Sequence, residues 1–127
     1  MDIFCKIING EIPSYKLCED EKVLVFLDIN PNTNGHMLIV PKKHIITVEE
    51  MDNELATHIL NIEKKMHNLL KEKLNIQGLT IVQNNDLGQE VKHYHVHLIP
   101  RYSNDGWKMN FNKDILDDVK ETFLKLI

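Results

Sequence analysis

The sequence predicts an α+β fold built on an antiparallel sheet. Three observations carry that expectation. The extended segments follow one another through turns, a single long helical segment is inserted once among them, and no regular strand–helix alternation of a parallel sheet is present. Near the end of the chain, "VKHYHVHLIPRY" (Val91–Tyr102) alternates His93, His95 and His97 with Tyr94, Val96 and Leu98. Successive side chains of a strand point to opposite faces, so this run places three imidazoles on one face, roughly 7 Å apart, and three bulky groups on the other.

The elements follow in order. "IFCKIING", Ile3–Gly10, reads as one or two helical turns stopped by Asn9-Gly10. Ser14–Cys18 is a short strand, Lys22–Ile29 a strongly apolar one, and Asn30–Gly35 ("NPNTNG") an irregular turn. "HMLIVPKKH", His36–His44, begins as a strand and is interrupted at Pro41. Thr47 and Glu50 have capping-box spacing. Asp52 then caps a long helix to Leu74, with Leu55, Ile59, Ile62, Met66 and Leu69 on one face and His58 and His67 as surface or boundary residues. Gly78–Asn84 is a strand, "NNDLGQ" a tight polar loop, and the histidine strand follows, ended or placed at a sheet edge by Pro100. A last amphipathic helix, about residues 113–126, carries Ile115, Leu116, Val119, Phe123 and Leu126 and is capped near Asn112.

A chain of 127 residues suits one domain, 1–127, with a real core. A net charge of −4 argues against a nucleic-acid surface, although Lys42 and Lys43 offer a local basic pair. "MDIFCKIINGEIP" lacks a basic stretch followed by an apolar run, and no segment approaches membrane-spanning length. With only Cys5 and Cys18, the expectation is a cytoplasmic protein with free thiols and no membrane partner.

Three aligned imidazoles have few uses. They hold a metal, or they handle a phosphate, one ring attacking while others donate hydrogen bonds. A neutral imidazole is a good nucleophile near neutral pH, provided its second ring nitrogen gives its proton to a fixed acceptor. A metal hydrolase using His93, His95 and His97 is the weaker alternative, because residues spaced along one strand converge poorly on one ion.

"HYHVHLI" fits the His-x-His-x-His pattern of the histidine triad superfamily, and "IFCKIINGEIPS", "FLDINP", "GHMLIVPKKHI" and "VQNNDLGQEV" resemble its other landmarks in the same order. The resemblance spans residues 2 to about 102 and is closest to the Hint-like, nucleotide-binding branch. It implies a five-stranded antiparallel sheet, a homodimer, and enzymes acting on purine nucleotides, AMP or GMP derivatives, that carry a leaving group on the α-phosphate. On that resemblance His95 is the nucleophile, with a backbone carbonyl of its own strand as proton acceptor. His97 is the hydrogen-bond donor to a non-bridging oxygen, His36 a neighbouring proton relay and His93 a supporting residue. Asp28 matches the ribose carboxylate, and Ile3, Phe4, Ile7, Ile12, Phe26, Leu27 and Ile29 match the apolar purine wall. Asn84, Gly88 and Gln89 fall where phosphate is contacted. Glu90 stands where this branch often has a serine and would disfavour an anionic leaving group; Lys92 replaces a common aromatic or apolar residue, and the Asn84–Gln89 loop is shorter than usual.

Some bacterial relatives hold a structural zinc with Cys-x-x-Cys and two histidines. Cys5, His44 and His93 match three of those positions, and Asp2 takes the fourth. A carboxylate ligates zinc, so Asp2–Cys5–His44–His93 is a sensible set for a structural ion, with no cofactor needed for catalysis. A non-catalytic nucleotide-binding or scaffold protein is the other alternative.

Overall fold

Val23–Leu27 and Met37–Pro41 are almost uninterrupted apolar runs, which a strand needs only when both of its faces are covered. The computed structural model, which describes residues 1–127, covers them on both sides. The elements are α1 (Ile3–Ile8), β1 (Lys16–Glu19), β2 (Val23–Leu27), β3 (Met37–Pro41), α2 (Asn53–Leu74), β4 (Gly78–Gln83), β5 (Val96–Arg101) and α3 (Val119–Leu126). Five strands form one antiparallel sheet in the order β1-β2-β3-β5-β4, the α+β architecture expected.

On one face, Val23, Val25, Met37, Ile39, Val96 and Leu98 pack with Tyr94 against Leu55, Ile59, Ile62, Met66 and Leu70 of α2. On the other, Leu24, Phe26, Leu38 and Val40 pack against Phe4 and Ile7 of α1. The helix stripe therefore ends on Leu70; Leu69 is only half-buried. Asp2 caps α1 and Asp52 caps α2, each side chain accepting from the backbone N–H three residues on.

Three expectations need correction. The histidine strand begins at Val96, not Val91, because Tyr94 N–H donates to Ile45 O instead of joining the sheet. The alternation of faces nevertheless persists, with Tyr94, Val96 and Leu98 in the α2 core. Pro100 neither ends the strand nor lies at an edge, since β5 is flanked by β3 and β4. Pairing of β5 with β3 stops at Leu98, and the Pro100 carbonyl accepts from Thr33 Oγ1 on that side. A residue's N–H and C=O leave a strand on the same side, so the missing N–H of proline costs no ladder bond there. Finally, the helix expected over 113–126 is broken into a 3₁₀ turn, Lys113–Ile115, and the short α3. Asn112 caps only the turn, and the whole stretch is exposed. An amphipathic face with nothing packed on it gives a helix little reason to propagate.

Candidate active site

Three functional groups line up across the ends of adjacent strands: Asp28 just after β2, His36 just before β3, and His97 within β5. Asp28 N–H donates to His36 O, closing the turn between them, and Asp28 Oδ1 accepts from Asn30 N–H at 2.9 Å. Gly35 makes this turn feasible. Its φ is +92°, and a Cβ there would lie 2.8 Å from Leu74 Cδ1.

The hydrogen bonds assign the ring protons. Asn32 N–H donates to His36 Nδ1 at 3.0 Å, so that nitrogen is bare and the His36 proton resides on Nε2. His36 Nε2–H therefore donates to His97 Nδ1 at 2.9 Å, which leaves the His97 proton on Nε2. His95 is the reverse. Its Nδ1–H donates to the His93 carbonyl at 2.7 Å, so its Nε2 is bare. All three rings are neutral near pH 7. Burial lowers the pKa of His36 against the pull of Asp28, and lowers that of His95 despite the His93 carbonyl. Burial, then the neighbouring His95 and His36, bring His97 down to about 4. Two adjacent rings, 4.9 Å apart by centroid, thus offer a bare nitrogen and an N–H donor.

Both rings face a cavity of about 590 Å³, in the range of small-ligand sites. Its lining includes Ile3, Phe4, Ile7, Ile12, Phe26, Leu27, Asp28, Ile29, His36, Asn84, Gly88 and Glu90. Phe4 sets its ring edge-on to His95 at 4.8 Å. Two expected residues stand elsewhere. Gln89 is buried and turned away, its Nε2–H donating to Ile46 O at 2.7 Å, so it anchors the Asn84–Glu90 loop. His93 does not line the cavity: its carbonyl is taken by His95 Nδ1–H, and its ring lies in a second cluster.

That cluster is Asp2, Cys5, His44 and His93. Asp2 Oδ2 is 3.1 Å from both His93 Nδ1 and His44 Nδ1 and 3.5 Å from Cys5 Sγ. Cys5 Sγ is 3.6 Å from each histidine Nδ1, and those two nitrogens are 3.3 Å apart. Zinc bonds of about 2.0–2.3 Å give tetrahedral edges of about 3.3–3.7 Å, close to these six. His93 Nε2–H donates to Pro41 O at 2.8 Å, which orients the ring with Nδ1 toward the other three ligand atoms. Burial and then Asp2 raise the Cys5 pKa, so the thiol is protonated until a cation displaces its proton. The triad nitrogens do not converge: His93 Nδ1 faces Asp2, His95 Nδ1 the backbone, and His97 Nδ1 His36.

The family model described as the HIT domain matches residues 9–104. The chain belongs to the HIT family. An uncharacterised HIT-like protein of Methanocaldococcus jannaschii is 50% identical over 128 residues, covering 95% of this chain and 98% of its own. A Candida albicans protein named adenosine 5'-monophosphoramidase is 43% identical over 105 residues, 78% of this chain and 69% of its own. The crystal structure of a HIT family member from Bacillus subtilis superposes with a TM-score of 0.80 at 38% identity, covering 99% of this chain and 96% of that one. A zinc-bound histidine triad protein from Mycobacterium smegmatis gives a TM-score of 0.78 at 30% identity over 87% and 81% of the two chains.

Beyond the residues expected from sequence, the cavity of this HIT protein is lined by Pro13, Ser14, Asn30, Asn32, Leu38, Val82, Val91 and Ile99. Leu38, Val82 and Ile99 follow from sheet register, since Leu38 and Val82 flank His97. Asn32 acts through its backbone, for which the only sequence signal is its place in the "NPNTNG" turn.

Proposed function

We propose that this HIT protein hydrolyses purine nucleotides substituted on the α-phosphate, releasing an amine, through a nucleotidyl-histidine intermediate. The observation that carries the reading is the pair of opposed tautomers, a bare His95 Nε2 beside a His97 Nε2–H. His95 Nε2 attacks phosphorus and forms the P–N bond as the P–N bond to the amine breaks, the departing nitrogen taking a proton from solvent so that it leaves as a neutral amine. His97 Nε2–H donates to a non-bridging oxygen whose charge grows in the transition state. His36 holds the His97 tautomer and Asp28 accepts from the ribose hydroxyls. Water then cleaves the His95–phosphorus bond, releasing the nucleoside monophosphate and restoring the ring.

Glu90, exposed at the cavity, favours a leaving group that departs as an amine over one that departs as an anion. The name of the Candida albicans relative, adenosine 5'-monophosphoramidase, supports the same class of substrate. Asp2, Cys5, His44 and His93 would hold a structural zinc, which when bound ties the start of α1 to the sheet. We also read the protein as a homodimer.

Turnover of adenosine 5'-phosphoramidate, acyl-AMP and diadenosine polyphosphates by the purified protein tests the proposal. The phosphoramidate should be the preferred substrate, yielding AMP and ammonia. A protein that binds AMP but turns over none of the panel would favour the scaffold reading instead.

A further inference from the structure

Ser14 Oγ is the one buried side-chain oxygen or nitrogen without a hydrogen-bond partner. Buried hydroxyls are normally satisfied, and an orphan calls for an explanation. Ser14 lines the same cavity as His95 and Asp28, beside the apolar Ile7, Ile12 and Phe26.

The order of the strands says what should meet it. Across the sheet, His97 in β5, His36 before β3 and Asp28 after β2 follow in succession. Lys16 pairs with Phe26, and Leu27 N–H donates to Tyr15 O at 3.1 Å, which brings Ser14 abreast of Asp28 on the β1 side. Neighbouring strands lie about 4.8 Å apart. A nucleotide with its α-phosphate at His95 and His97 and its ribose at Asp28 carries its base onward, toward Ser14. We infer that Ser14 is the contact for the polar edge of the purine: its hydroxyl, which has almost no accessible surface in the unliganded protein, turns about χ1 into the cavity and completes its hydrogen bonding only when the base is bound. This inference rests on the nucleotide reading proposed above. A hydroxyl both donates and accepts, so it takes the 6-oxo group of guanine or the 6-amino group of adenine. The site therefore selects for a purine with a polar 6-substituent, without separating the two bases strongly.

The test is titration calorimetry on wild type, Ser14→Ala and Ser14→Thr with AMP, GMP, purine riboside 5'-monophosphate and ribose 5-phosphate. Ser14→Ala should weaken AMP and GMP about five-fold, the net worth of one neutral hydrogen bond. Purine riboside monophosphate, which lacks a 6-substituent, and ribose 5-phosphate should bind the variant and wild type alike, and Ser14→Thr should recover part of the AMP affinity. An unchanged AMP affinity in Ser14→Ala overturns the assignment alone. So does equal weakening of all four ligands, which would mark a contact to the sugar or a structural role. Wild type that binds no nucleotide overturns the nucleotide reading and this assignment with it.

Discussion

His95 and His97 sit two residues apart on the same face yet carry their protons on opposite nitrogens, each dictated by a neighbour: the His93 carbonyl for one, His36 for the other. Their roles are therefore not interchangeable. His97→Ala should lower kcat about 10²-fold to 10³-fold, as for one transition-state donor. Steady-state kinetics with a phosphoramidate would check this, and an unchanged kcat would remove His97 from the mechanism. Burial of these neutral rings also makes stability depend on pH. His36, His95 and His97 all have folded pKa values below the free-histidine value of about 6.5. Between about 6.5 and the value of about 4 for His97, the unfolded chain takes up protons that the folded one refuses, so stability falls as pH falls. The urea midpoint should be lower at pH 4.5 than at pH 7.5, and His97→Gln should reduce the difference. An equal midpoint at both values would contradict buried neutral rings. At this scale the sequence was most informative about the histidines, whose period survives folding. It was least informative about Gln89 and Ser14. Gln89 finds its partner at Ile46, a carbonyl far away in sequence, and the meaning of Ser14 Oγ lies in having no partner at all.

At the scale of elements, two short segments set the site. The turn ending in Gly35 fixes His36, and Gly35→Ala would combine a left-handed backbone with a clash against Leu74 and Leu70. A loss of roughly 1–3 kcal/mol in chemical denaturation is expected, together with a fall in kcat as His36 shifts. A variant as stable and active as wild type would show the turn to be tolerant. Helix α1 is the second segment. Its Asp2 is at once the helix cap and a corner of the Asp2–Cys5–His44–His93 tetrahedron, while Phe4 and Ile7 form the cavity wall. Elemental analysis should find about one zinc per chain, and chelation should speed amide exchange in α1 more than in β2 or β3 while turnover persists. Activity lost on chelation and regained with zinc would instead favour a metal-dependent reaction. The helix itself was legible from Ile3–Gly10 and its Asn9-Gly10 stop, and the corners of the cluster emerged only from the family resemblance, because contacts between residues 2 and 93 leave no local pattern.

At the scale of the whole molecule, the order β1-β2-β3-β5-β4 leaves β4 as a free edge with Ile81 half-exposed, and the segment after Tyr102 exposes Trp107, Phe111, Leu116, Val119 and Phe123. Apolar surface of this extent is a feature of association sites. Light scattering at micromolar concentration should give about twice the 14.9 kDa chain mass, and a monomer would refute the dimer reading. The antiparallel α+β plan was legible because turns, not helices, join most strands. The C-terminal helix was not, because an amphipathic pattern says which face would pack but not whether anything is there to pack against. The central claim, that His95 is the nucleophile, is tested most directly by rapid quench of wild type with a nucleoside phosphoramidate, followed by peptide mass spectrometry under alkaline conditions. The account predicts a nucleotidyl adduct on His95, absent in His95→Ala, whose kcat falls on the order of 10⁴-fold or more. A His95→Ala variant that turns over at near-normal rate, or an adduct on another residue, would contradict it.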